Sequence, residues 1–131
     1  MKKLVPLFCI LISSVFSNFA LAQVERSQLT SGIENREPVD DLGNVVVGQP
    51  GSMAKVYFFT QIVGMADKQI THRWIYHKDE KATVTFNVGS DSWRTYSSKN
   101  IPDYWQGEWQ VQVWQGDLQL TSHNFVVSFA Q

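Results

Sequence analysis

Three histidines, a few serines and two arginines set among aromatic residues are the side chains of this sequence that could do chemistry. His72, His77 and His123, with Asp40, Asp41, Asp79 and Asp91, raise the question of a metal site. Spacing argues against one. His72 and His77 lie five positions apart in an alternating stretch and so face opposite sides of a sheet, whereas two histidines sharing an ion along a strand need an even separation. His72 shares its face with Ile70, Trp74 and Tyr76 and reads as a hydrogen-bonded core histidine. Asp40-Asp41-Leu42-Gly43-Asn44 lacks the alternating carboxylates and the closing glutamate of a calcium loop. Ser97, Ser98 and Ser128 sit in neither a Gly-x-Ser-x-Gly elbow nor a Ser-x-x-Lys motif, and no glycine-rich phosphate loop occurs. The expectation is therefore a protein that is not an enzyme, with no catalytic residue, no metal and no cofactor.

Arg73 and Arg94 are more informative, because a charge in the middle of an aromatic-rich strand needs a carboxylate or water. Two readings stay open. The arginines pair with Glu34, Glu37, Asp40 or Glu108 and hold strand register, or Arg73, Arg94, Tyr96 and Lys99 form a basic, aromatic-lined patch for an acidic ligand group. Trp74 and Trp109 alternate with core residues and read as packing. Trp93, Tyr104, Trp105 and Trp114 fall at strand ends, in a crossover or on outward positions, where aromatics bind sugar rings or partner side chains, or close the open ends of a fold. The candidate ligand-binding set is Arg73, Arg94, Tyr96, Lys99, Trp105 and Trp114, all expected to be at least partly exposed, with Lys99 reaching water where its strand stops.

These side chains are carried on a period-two pattern broken by Gly, Pro, Asn, Asp and Ser clusters. Strands are expected at Arg26–Glu34, weakly at Asn44–Val47, and at Met53–Ile62, Gln69–His77, Glu80–Val88, Ser92–Lys99, Glu108–Gln115 and Leu118–Phe129. Turns are expected at Lys78-Asp79, Gly89-Ser90-Asp91 and Gln115-Gly116-Asp117, with an irregular crossover at Pro102-Asp103. About seven short strands, with no helical period and no repeat, predict an all-β, immunoglobulin-like antiparallel β-sandwich without a disulfide.

The chain has 131 residues, 44% apolar, with five Trp, four Tyr and eight Phe, enough for one core and one domain. Its formal charge of −1 offers no field for a nucleic-acid backbone. Met1 to Ala22 reads as a secretory signal: Lys2 and Lys3, an apolar stretch from Leu4 to Phe16, then Ala20-Leu21-Ala22. Cleavage after Ala22 would leave a single domain, 23–131, with no membrane span, nine basic and twelve acidic residues and no cysteine, since Cys9 lies in the signal. A periplasmic or outer-surface location follows, in which stability rests on the hydrophobic core alone.

The phrases Glu34-Asn35-Arg36-Glu37-Pro38, Val56-Tyr57-Phe58-Phe59-Thr60, His72-Arg73-Trp74, Phe86-Asn87-Val88-Gly89, Trp93-Arg94, Ser97-Ser98-Lys99-Asn100 and Gly107-Glu108-Trp109 resemble, in order, those of the bacterial domain of unknown function 2914. The resemblance implies an exported or envelope-associated β domain and carries no reaction. Together these observations point to a non-catalytic envelope binding or adapter module whose partner is another envelope protein or a glycan. The alternatives are a structural protein that pairs through an edge strand, a small carbohydrate-binding module, or a hydrolase.

Overall fold

A computed structural model describes residues 23–130. Ten β-segments follow one another: β1 (Gln23–Thr30), β2 (Ile33–Glu34), β3 (Glu37–Pro38), β4 (Val45–Gly48), β5 (Ala54–Val63), β6 (Gln69–Tyr76), β7 (Asp79–Asn87), β8 (Ser92–Ile101), β9 (Gly107–Gln115) and β10 (Leu118–Phe129). A single 3-10 turn, Asp103–Trp105, stands between β8 and β9. Seven long strands and the short β4 are those expected from the period-two pattern. The chain is all-β, and the architecture is the expected immunoglobulin-like sandwich.

One sheet has the order β1-β5-β8 and the other β4-β10-β9-β6-β7. Every pairing is antiparallel except β4 beside β10. Alternation does the sorting. In β9, Trp109, Val111 and Val113 point inward and are buried, while Gln110, Gln112 and Trp114 point outward. Trp74, Phe125, Val127 and Ile70 join them from the same sheet, facing Leu29, Val56, Phe58, Ile62 and Ile101 of the other. Trp74 is wholly buried, edge-on to Phe58 and Phe125, so its expected place in the core holds. β7 keeps its alternation but lies at a sheet edge, so Ala82, Val84 and Phe86 are only half-buried.

Three local expectations change. The first strand ends at Thr30 rather than Glu34, because Asn35 and Arg36 adopt left-handed backbone and fold β2 and β3 into a separate two-stranded hairpin. The hairpin from β6 to β7 turns on His77-Lys78, both left-handed (φ 48° and 74°), one residue earlier than Lys78-Asp79. β8 runs on to Ile101, so Lys99 is no strand end: it falls on the inward parity and is half-buried.

Candidate functional site

The six candidate residues are all half-buried or exposed, but they occupy three places rather than one surface. The physical reason is that the two sheets turn their outer faces in opposite directions, which parity along single strands does not reveal.

Arg94 and Tyr96 lie on the outer face of the three-stranded sheet. There the β2–β3 hairpin folds back as a strap. Glu37 accepts from Arg26 Nη2 at 2.7 Å and from Arg94 Nη1 at 2.5 Å, so one carboxylate bridges β1 and β8. Hydrogen bonds from Arg26 and then Arg94 pull the Glu37 pKa down to about 2. Arg26 also lies over the Phe59 ring at 4.8 Å, which is why Phe59 is fully buried although it points away from the core. Arg36 stacks on Trp93 and donates to the carbonyl of Arg94. Thr30, Ser31 and Asp40 tie the base of the strap, Asp40 accepting from the Ser31 hydroxyl and backbone N–H and from Thr30. Arg94 is thus ion-paired to Glu37, the arrangement that one of the two readings of its sequence context describes.

Lys99 and Trp105 meet where the sandwich opens at one end. Trp105 packs near Tyr76 and Trp109, and its carbonyl accepts from Trp109 Nε1. Lys81 of one sheet and Lys99 of the other lie 4.6 and 5.3 Å from its ring, so the indole closes the gap between the sheets with a cation from each. Closure of an open end was the structural role weighed for this tryptophan.

Arg73 and Trp114 lie together on the outer face of the five-stranded sheet, the guanidinium 4.4 Å above the indole. Arg73 Nε is buried without a hydrogen-bond partner, 4.0 Å from Glu80 Oε1, while Glu80 itself accepts from Thr83. Across the strands Arg73 stands opposite Gln112, and Ile75 opposite Gln110, which in turn stands opposite Asn124. Their side chains form a directed relay: Trp114 Nε1 donates to Gln112 Oε1 at 2.8 Å, Gln112 Nε2 to Gln110 Oε1 at 2.5 Å, and Gln110 Nε2 to Asn124 Oδ1 at 2.8 Å. Beside the relay runs an open groove of about 530 Å³, bordered by Ile75, His77, Lys78, Glu108, Trp109, Gln110, Gln112 and Asn124. A second hollow of about 300 Å³ continues it past Asn124 towards Asn44 and Val126. The left-handed backbone of His77 and Lys78 at its rim is uncommon for residues other than glycine. Gly107 carries φ +117°, and a Cβ on it would come within 3.2 Å of His77 Nε2. Sequence reasoning picked out Arg73 and Trp114 here and passed over the glutamines, whose alternation in β9 looked like an ordinary solvated face.

One nucleophile–base geometry does exist. Ser97 Oγ lies 2.7 Å from His72 Nδ1, and His72 Nε2 lies 3.1 Å from Thr60 Oγ1. Both side chains are sealed in the core, His72 fully and Ser97 at 5% exposure, and Trp74 Nε1 donates to the same Ser97 oxygen. Burial pushes the His72 pKa down to about 3. The three side chains satisfy one another between the sheets, as expected of a core histidine. Among the described residues no three His, Asp or Glu side chains come together as a metal-holding group.

Residues 67–127 match the family described as protein of unknown function (DUF2914). The DUF2914 match takes in β6 and β9 and most of β10, hence the whole amide relay and Arg73, while the quoted phrases at 34–38 and 56–60 lie outside it. Of the solved structures, an immunoglobulin-like protein from Pseudomonas aeruginosa is similar at 16% identity and TM-score 0.60, over 82% of this chain and 97% of that one. The CARDB domain of a Pyrococcus furiosus protein, solved in complex with di-metal ions, is similar at 12% identity and TM-score 0.50, over 85% of this chain and 95% of that one. These likenesses show the fold. No curated protein matches the chain.

Proposed function

We propose that this chain is a non-catalytic binding or adapter module of the bacterial envelope, and that it engages its partner through the outer face of the five-stranded sheet. The observation that carries the reading is the Arg73–Trp114 pair beside the groove: a guanidinium stacked on an indole, with one buried N–H left without a partner. Of the six residues first considered, Arg73 and Trp114 remain the binding pair, with Tyr96, at 45% exposure on the opposite sheet, outside this surface. Arg94, Lys99 and Trp105 take structural parts. The fold itself does not decide the role, since such sandwiches host unrelated functions.

A signal at residues 1–22, outside the described residues, delivers the module to the periplasm or outer surface, leaving 23–131 as the domain. No helix among the described residues is long and apolar enough to cross a membrane. Intact mass of the exported protein should correspond to a chain starting at Gln23. A start before residue 15 would overturn the export reading.

Immobilised domain should capture a component of envelope extract, and Arg73→Ala with Trp114→Ala should abolish capture while the unfolding temperature stays within a few degrees. Unfolding of the double variant, or unchanged capture, would remove this surface from consideration. A second reading has its own observation: the edge strand β4 exposes Val45 and Val47 at 53% and 57%, beside Val126 of β10. Strand addition there would survive loss of Arg73 and Trp114 and fail on Val47→Pro.

A further inference from the structure

We infer that the groove along β9 takes a neutral glycan chain; this rests on the reading of the same sheet face as the binding surface and names its ligand class. The floor is made of amides. Gln112, Gln110 and Asn124 each carry an acceptor oxygen and two N–H donors in a fixed plane, the combination that satisfies a sugar hydroxyl, which both donates and accepts. The relay from the Trp114 N–H orders them before any ligand arrives. Each oxygen accepts one bond from the residue before it, and each amide nitrogen keeps at least one N–H free of the relay. Three flexible side chains are thereby pre-set, so binding does not have to order them.

Charge and shape favour the same class. The charged groups at the rim are of both signs, Glu108 against Lys78, which gives an acidic polymer or a phosphate no net attraction. A protein partner needs a desolvated apolar or aromatic anchor at the centre of its contact. The groove's lining is mostly polar: beside His77, Lys78, Glu108, Gln110, Gln112 and Asn124 its apolar members are Ile75 and Trp109, the latter only 3% exposed, and the exposed Val126 lies in the continuing hollow rather than beside the relay. What it does offer is the Ile75 side chain between the amides, while the Trp114 indole, outside the lining itself, holds Gln112 in place through its N–H bond and is itself held by Arg73. Such a surface packs against the C–H face of a sugar ring. The volume lies within the range of ligand sites, roughly 300–1,000 Å³, and the continuation past Asn124 leaves room for a chain rather than a single enclosed ring.

The test is titration of the intact domain with cellohexaose, chitohexaose and maltohexaose, followed by tryptophan fluorescence and by NMR of the side-chain amides. At least one hexasaccharide should bind saturably, shift the Gln110, Gln112 and Asn124 NH₂ signals, and do so equally at 0.05 and 0.5 M salt. Gln110→Ala and Asn124→Ala should each weaken it at least tenfold without moving the unfolding midpoint, and Tyr96→Ala, on the other sheet, should have no effect. Failure of all three sugars to bind overturns the glycan assignment, and so does binding that the amide variants leave unchanged or that salt abolishes. Envelope capture that depends on Trp114 would in that event still stand, so the two conclusions fail separately. If Gln110→Ala unfolds, Asn124→Ala at the open end of the relay decides alone.

Discussion

His72 should make this protein less stable in acid. Its ring lies between Phe58 and Phe86, with centroids 5.2 and 4.9 Å away, and bonds only to the hydroxyls of Thr60 and Ser97. No ionisable side chain is among these neighbours, and burial alone lowers the pKa from 6.5 to about 3. Because the folded value lies below the unfolded one, the unfolded chain takes up a proton that the native state refuses. Stability is therefore full above pH 6.5 and falls as pH drops from there towards 3. The slope is about 1.4 kcal/mol per pH unit, so about 2 kcal/mol is lost between pH 7.5 and pH 5. That interval also lies above the range in which Glu37, held at about 2 against an ordinary 4.5, begins to contribute. Urea unfolding followed by tryptophan fluorescence at half-unit pH steps measures the slope. His72→Gln retains a donor and an acceptor for Thr60 and Ser97 without titrating, and should flatten the curve in that interval by about the same 2 kcal/mol. Equal pH slopes in the two proteins, or an NMR titration of the native ring with a midpoint above pH 5, would refute the reasoning.

Trp74→Ala should cost about 3–5 kcal/mol in chemical denaturation, since it deletes a wholly buried indole packed on two phenylalanines and unpins Ser97; a loss under about 1 kcal/mol would contradict its place in the core. Glu37→Ala leaves Arg26 and Arg94 facing each other without their bridge. Amide exchange should then quicken in residues 33–38 while that of β6 and β9 stays as it was, and equal protection of the strap in the variant would show that the carboxylate does not hold it. In the native protein, the same strap should loosen only as pH falls from about 4.5 towards 2, because the Glu37 carboxylate is held low by its two arginines.

Period-two alternation was enough to identify the strands, because inward and outward residues must separate on any half-buried sheet, and that rule acts within a single strand. From Met53 onward the expected strands lie within a residue or two of those formed, and Trp74, Trp109, Val111 and Val113 were assigned to the correct side. His72 was legible for the same reason: its neighbours at 70, 74 and 76 are apolar. What alternation cannot carry is which strand lies beside which. Arg94 and Arg73 share a sequence character, yet pairing puts β8 beside β5 and β6 beside β9 in different sheets, so one arginine meets Glu37 and the other Trp114. The strap escaped notice because it depends on left-handed Asn35 and Arg36 and on partners 57 and 58 residues away. The amide relay escaped notice as well. Glutamine at every second position looks like a wetted face until cross-strand register brings Asn124 beside Gln110 and turns separate polar side chains into one ordered surface.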